Sequence, residues 1–143
     1  MMTDAFHPSR GAFGWQLSNP PVLPLAALRA SLDLFSSATM PKLRAKSEKL
    51  TRYLELLIQA HFSESGLVRI ITPGFGRKAE RGCQLSLEFS KPVAEVYKRL
   101  LEEGVIGDKR EPNAMRIAPT PMYTSFADVY DFVTTLDAIL QSL

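Results

Sequence analysis

Cys83-Gln84-Leu85-Ser86-Leu87-Glu88-Phe89 places an apolar side chain at every second position, with Gln84, Ser86 and Glu88 between them. Successive side chains of a strand point to opposite faces, so this pattern predicts a strand with one face on a core and one in water. Upstream, residues 67–72 form a short apolar, β-branched run that ends at Pro73, and Gly74 to Gly82 reads as a loop. Downstream, Ser90 is placed to cap a helix from Pro92 to about Glu103, with Gly104 as its stop. Val105 and Ile106 are expected to begin a further strand, paired with residues 114–118 across a loop at Pro112 and Asn113. Ser125 then caps a last helix with Phe126, Val129, Tyr130, Val133, Leu136, Leu140 and Leu143 on one face.

The first half has a different period. Pro8, Gly11, Gly14, Pro20 and Pro21 punctuate residues 1–21, which are expected to be irregular. Pro24 opens a helix in which Leu25, Leu28, Leu32 and Phe35 share a face. A second helix starts near Pro41, with Thr39 close to its cap. Its apolar positions are Leu43, Leu50, Leu54, Leu57 and Ile58, opposed by Lys42, Lys46, Lys49 and Arg52. The order predicts an α+β fold: a small antiparallel or mixed sheet of about four strands with helices packed on one face. Residues 22–143 form one domain in this reading.

At 143 residues with 45% hydrophobic side chains, the chain is sized for a single core and too apolar for disorder. A net charge of +2 argues against a nucleic-acid partner. No apolar run approaches the roughly 20 residues of a membrane span. The N-terminus lacks the apolar stretch of a secretory signal. With Cys83 as the one cysteine, an intrachain disulfide is impossible. A cytoplasmic protein is the expectation.

No self-sufficient active site stands out. His7 and His61 have no metal-ligand spacing, so no metal is expected. His61 reads as a helix-end cation or a packed imidazole, and Cys83 as an inert buried thiol. Gly74-Phe75-Gly76 is too short for a dinucleotide loop. Two places remain. Arg116, between Met115 and Ile117 and just before Pro119-Thr120-Pro121, should face away from its apolar neighbours. It is either a solvated charge on the wet face of the sheet or a rigidly held guanidinium suited to a carboxylate. Ser18-Asn19-Pro20-Pro21 either shapes the turn into the first helix or presents an amide to a ligand.

Longer strings give a resemblance. Gly14-Trp15-Gln16-Leu17-Ser18-Asn19-Pro20-Pro21, Leu43-Arg44-Ala45-Lys46-Ser47-Glu48-Lys49-Leu50-Thr51, Arg81-Gly82-Cys83-Gln84-Leu85-Ser86, Arg110-Glu111-Pro112-Asn113, Arg116-Ile117-Ala118-Pro119 and Tyr123-x-Ser125-Phe126-x-Asp128-Val129-Tyr130 occur in this order. Together they resemble the C-terminal third of kynureninase, over about residues 11–143. The resemblance implies the small C-terminal domain of a fold-type I, pyridoxal 5'-phosphate-dependent homodimer. That enzyme hydrolyses kynurenine or 3-hydroxykynurenine to anthranilate or 3-hydroxyanthranilate and alanine, in tryptophan catabolism and NAD biosynthesis. Arg116 matches the arginine that binds the substrate α-carboxylate. Asn19 matches a residue at the cofactor and substrate pocket, and Ser18 its neighbour near the aromatic end of the substrate.

The lysine that attaches the cofactor belongs to the large domain, and no lysine of this sequence lies in its motif. The chain is therefore expected to be inactive alone and to need that large domain or a full-length relative. The alternative is a non-catalytic fragment that serves dimerisation or complementation. Gly107, Lys109 and Thr124 depart from the family's pattern, with an expected effect on packing or substrate fit.

Overall fold

The computed structural model describes residues 7–143, and the first six residues of the segment expected to be irregular lie outside this range. The chain divides into two compact units, Met1–Ala38 and Thr39–Leu143.

In the first unit a short 3-10 helix, Gly11–Trp15, precedes α1 (Val22–Phe35). The helix begins two residues before Pro24. The Leu25 amide donates to the Pro21 carbonyl at 3.1 Å, so the amide missing from Pro24 falls among donors that need no helical partner. No residue of α1 is buried.

The second unit begins with α2 (Met40–Phe62), where the Thr39 hydroxyl accepts the Lys42 amide and Pro41 lies in the first turn. Leu50, Leu54, Ile58 and Phe62 recur every fourth residue and are buried, while Lys42 and Lys49 stay exposed. The strands are β1 (Val68–Ile70), β2 (Leu85–Phe89), β3 (Asp108–Arg110) and β4 (Ala114–Ile117). They form one sheet in the order β1-β2-β4-β3, antiparallel at every pairing. Leu87 faces Ile70 on one side and Met115 on the other. Those inward side chains meet α2, α3 (Val93–Glu102) and α4 (Phe126–Gln141) in a single apolar core. Full burial of each large apolar side chain contributes about 1.5–3 kcal/mol. The expected α+β layer is thus the fold observed.

Four local expectations fail. Val105 and Ile106 form no strand. Val105 packs against the core and Ile106 is exposed, while the charged triplet that follows makes the edge strand β3. Ser90 does not cap α3. The Val93 amide instead donates to Asn113 Oδ1 at 2.9 Å, a partner 20 residues away, and the Ser90 hydroxyl turns to the Leu67 carbonyl. Cys83 precedes β2 and is only half-buried. On α4, Phe132 and Ile139 are buried, whereas Phe126 and Tyr130 lie about half-exposed.

The expected caps of α4 and the expected stop of α3 are present. Ser125 and Asp128 form a reciprocal capping box, the Asp128 amide donating to Ser125 Oγ at 3.2 Å and the Ser125 amide to Asp128 Oδ2 at 2.7 Å. Gly104 follows α3 at φ +76°, a conformation that costs a side chain energy and glycine none.

Candidate functional site

The inward face of the sheet is closed by helices, and its outward face carries charge. Arg69 and Glu88 sit opposite each other on β1 and β2 and form an ion pair. Ser86 faces Arg116 across β2 and β4, and Arg116 faces Asp108 across β4 and β3. Met115 is fully buried while Arg116 keeps a side chain 38% exposed, so the expected alternation about Arg116 holds.

Arg116 Nη2 donates to Asp108 Oδ2, and Arg110 Nη2 donates to the same oxygen at 2.8 Å. The Arg116 hydrogen bond, set against the opposing effect of burial and aided by Arg110, holds the Asp108 carboxyl below its ordinary range. Two guanidiniums therefore share one carboxylate. Neighbouring charges do not offset the excess: Glu88 is paired with Arg69 and Glu111 with Lys109. Arg116 Nε is buried with no hydrogen-bond partner among the described residues. A fixed guanidinium with one unit of uncompensated positive charge beside it is suited to an anion that carries two oxygens.

Gly107 and Lys109 lie at this hairpin, and Thr124 in the turn beyond β4. A Cβ on Gly107 would lie 2.7 Å from Met115 Sδ and 3.1 Å from Ile117 Cδ1, so glycine lets the chain entering β3 press against β4. Lys109 pairs with Glu111 at 2.9 Å. Thr124 closes the turn after Pro119, its amide donating to the Thr120 carbonyl at 3.0 Å and its hydroxyl meeting Thr120 Oγ1 at 3.3 Å. A cavity of about 140 Å³ lies beyond that end of β4, lined by Leu54, Val105, Ile117, Pro119, Val129 and Phe132 among others. It is smaller than ordinary ligand pockets, and Arg116 does not line it.

Ser18 and Asn19 are in the first unit and Arg116 in the second. Both lie in an exposed bend, where the Ser18 carbonyl accepts the Gln16 side-chain amide at 2.7 Å. Neither side chain caps α1. His61 is neither free nor near a metal cluster: its Nδ1 lies 3.1 Å from Asp137 Oδ2, linking α2 to α4. No group of three or more metal-ligating side chains occurs among the described residues.

One polar cluster escaped the sequence reading. Glu55 and Arg81 form a buried pair at 2.7 Å. The Glu55 carboxylate also accepts the Phe75 amide at 3.1 Å and lies 3.3 Å from Arg52. Arg81 donates to the Pro73 carbonyl at 3.0 Å, and Phe75 lies beneath Arg52, Lys78 and Arg81. The cluster ties the loop ahead of β2 onto α2. Its sequence signal was Ser47, Thr51 and Glu55, a polar stripe at four-residue spacing that is entirely buried.

The family model for the kynureninase C-terminal domain matches residues 43–136. The chain belongs to the kynureninase family, as its C-terminal part. It is 49% identical to kynureninase of Mus musculus over 138 residues, 92% of this chain and 29% of that protein. It is 52% identical to kynureninase of Myxococcus xanthus over 95% of this chain and 31% of the relative, and 46% identical to that of Homo sapiens over 92% and 29%. This kynureninase-family chain thus spans about a third of the length of the curated relatives it matches.

Two solved structures share its fold. One is described as "Directed Evolution of Transaminases By Ancestral Reconstruction. Using Old Proteins for New Chemistries", with a TM-score of 0.61 and 22% identity, covering 85% of this chain and 27% of that one. The other is a NifS-like protein with a TM-score of 0.60 and 18% identity, covering 96% and 38%. Both neighbours agree with the fold-type I expectation. No helix among the described residues is long and apolar enough to cross a membrane.

The side chains present do not make a complete pyridoxal phosphate site. An attachment lysine works desolvated, and no lysine here is buried. The cofactor's chemistry lies outside what these residues hold.

Proposed function

We propose that this chain supplies the substrate-carboxylate clamp of a kynureninase, with Arg116 as the clamp. The complete enzyme would hydrolyse kynurenine or 3-hydroxykynurenine to the corresponding anthranilate and alanine, in tryptophan breakdown and NAD biosynthesis. The observation that carries the reading is the Arg110–Asp108–Arg116 triad, whose two guanidiniums share one carboxylate on the open face of the sheet. A substrate carboxylate would balance the remaining charge, and the stiff strand would fix its orientation relative to a cofactor held elsewhere. By the family resemblance, Asn19 would serve cofactor and substrate in the complete enzyme, and Ser18 the substrate's ring. Residues 22–143 would act as the small domain over a large cofactor-binding domain, in a cytoplasmic homodimer.

The test is a graft. This chain replaces the corresponding C-terminal third of the mouse relative, and anthranilate fluorescence is followed with kynurenine and pyridoxal phosphate. The grafted enzyme should turn over, and the 143-residue chain alone should not. In the graft, Arg116→Gln should lower kcat/KM by about 30- to 1,000-fold, the equivalent of roughly 2–4 kcal/mol for a desolvated charged hydrogen bond. An Arg116→Gln graft as active as its parent would remove the assignment.

A second reading, a complementation or dimerisation module, is favoured by the exposed apolar side chains of the first unit. Trp15, Leu17, Val22 and Leu23 are all at least three-quarters exposed. Such surface seeks cover. Light scattering and co-purification with a large-domain polypeptide test it, and a well-behaved monomer that ignores that polypeptide would count against it.

A further inference from the structure

We propose that Asp108 is a switching carboxylate: it occupies Arg116 while no ligand is present and passes to Arg110 when a ligand carboxylate arrives. The proposal rests on the reading of Arg116 as a carboxylate site and adds a residue that tunes it. Asp108 and Arg116 are direct cross-strand partners, and Arg110 lies two residues along β3 on the same face. One atom, Asp108 Oδ2, serves both guanidiniums. If Asp108 leaves Arg116 it keeps Arg110, so the exchange strands no charge.

Exposure makes the exchange inexpensive. The side chains of Arg116, Asp108 and Arg110 are 38%, 45% and 56% exposed. Exposed pairs hold their partners weakly, because water screens both charges, and exposed rotamers exchange in picoseconds to nanoseconds. The Glu55–Arg81 pair shows the contrast. Those side chains are 4% and 3% exposed, and parting them would leave buried charge behind. The Arg69–Glu88 pair on the outer face, and the Lys109–Glu111 pair, whose lysine sits at the register position of inward-facing Met115, each match one cation with one anion and leave no vacancy for a third partner. On this face of the sheet, among the described residues, the triad has a cation to spare. Asp108 therefore competes with the incoming anion, and Arg110 relieves the competition.

The experiment uses the 143-residue chain labelled with nitrogen-15 and follows the Arg116 Nε–H signal during titration with sodium acetate, sodium chloride keeping ionic strength constant. Asp108→Asn should tighten acetate binding by about 2- to 5-fold, the size expected for removing one exposed competing ion pair. Arg110→Gln should weaken it by a similar factor, because Asp108 then has nowhere else to go. In the Asp108→Asn background, Arg110→Gln should lose most of its effect. Asp108→Ser serves as a second variant, and the core amide signals of Leu87 and Met115 report folding in each.

Weaker or unchanged acetate binding in Asp108→Asn would overturn the switch and make Asp108 a mere support. An Arg110→Gln effect of equal size in both backgrounds would overturn it as well. A wild-type signal that responds to acetate while those variants behave otherwise leaves the carboxylate site standing and removes only the switch. An Arg116 signal silent to acetate in every form removes both.

Discussion

Glu55 and Arg81, 26 residues apart in sequence, meet at 2.7 Å with almost no solvent on either side chain. The pair joins the middle of α2 to the residue that leads into β2, so it fixes where the central strand enters the sheet. Breaking a buried pair from one side leaves an uncompensated charge and costs about 3–5 kcal/mol. Arg52, partly exposed at 3.3 Å from Glu55, softens that loss. Arg81→Met should therefore destabilise the chain by about 3 kcal/mol, read as a fall in the urea midpoint with an unchanged slope.

The same pair gives acid sensitivity. Burial raises the Glu55 carboxyl, but hydrogen bonds from Arg81 and the Phe75 amide, with the charges of Arg81 and Arg52, outweigh it and leave the folded-state pKa lowered. A carboxyl depressed on folding binds its proton more tightly in the unfolded chain. Its contribution is complete above the unfolded-state pKa and lost as pH falls through the folded value. Stability measured from pH 7 downward should hold until about the usual carboxylate range and then drop. In Glu55→Gln that drop should be smaller, although Asp108, Glu48 and Asp128 are lowered too and keep part of it.

Asn113 caps α3 from another part of the chain. Its Oδ1 accepts the Val93 amide at 2.9 Å, and its Nδ2 donates to the Phe89 carbonyl at 2.5 Å. Asn113→Ala should cost about 1–2 kcal/mol, the range for a lost cap. Ser90→Ala, at the residue whose type and place suggest a cap, should change stability by less than about 0.5 kcal/mol. Thermal melts of the two variants side by side decide which residue does the capping.

Ser125→Ala removes one half of the box at the start of α4 and should cost about 1 kcal/mol. Hydrogen exchange should localise the loss to the first turn of that helix, with the amides of Leu136 and Leu140 still protected.

What could be read in the sequence was local. β2 and β4 were legible because one face of each is buried, which stamps alternation on Leu85 to Phe89 and on Met115 and Arg116. The α4 cap was legible because both its members lie within four residues. β3 was not, because an edge strand satisfies its pairing on one side only and has no need of apolar residues. The α3 cap and the Glu55–Arg81 pair were hidden because their partners lie 20 and 26 residues away. At the candidate site, the outward direction of Arg116 followed from its neighbours. That Asp108 and Arg110 surround it depended on the register of β3 against β4, which the misplaced strand at Val105 and Ile106 would have altered.

The charged triplet of β3 also bears on how copies of this chain treat one another. Asp108, Lys109 and Arg110 line an open border of the sheet, where an extended segment from another molecule could otherwise add itself. Such an intruder would have to strip water from three charged side chains, and the opposite border offers only a three-residue strand that carries Arg69. Fibril growth by strand addition is thereby discouraged at both margins.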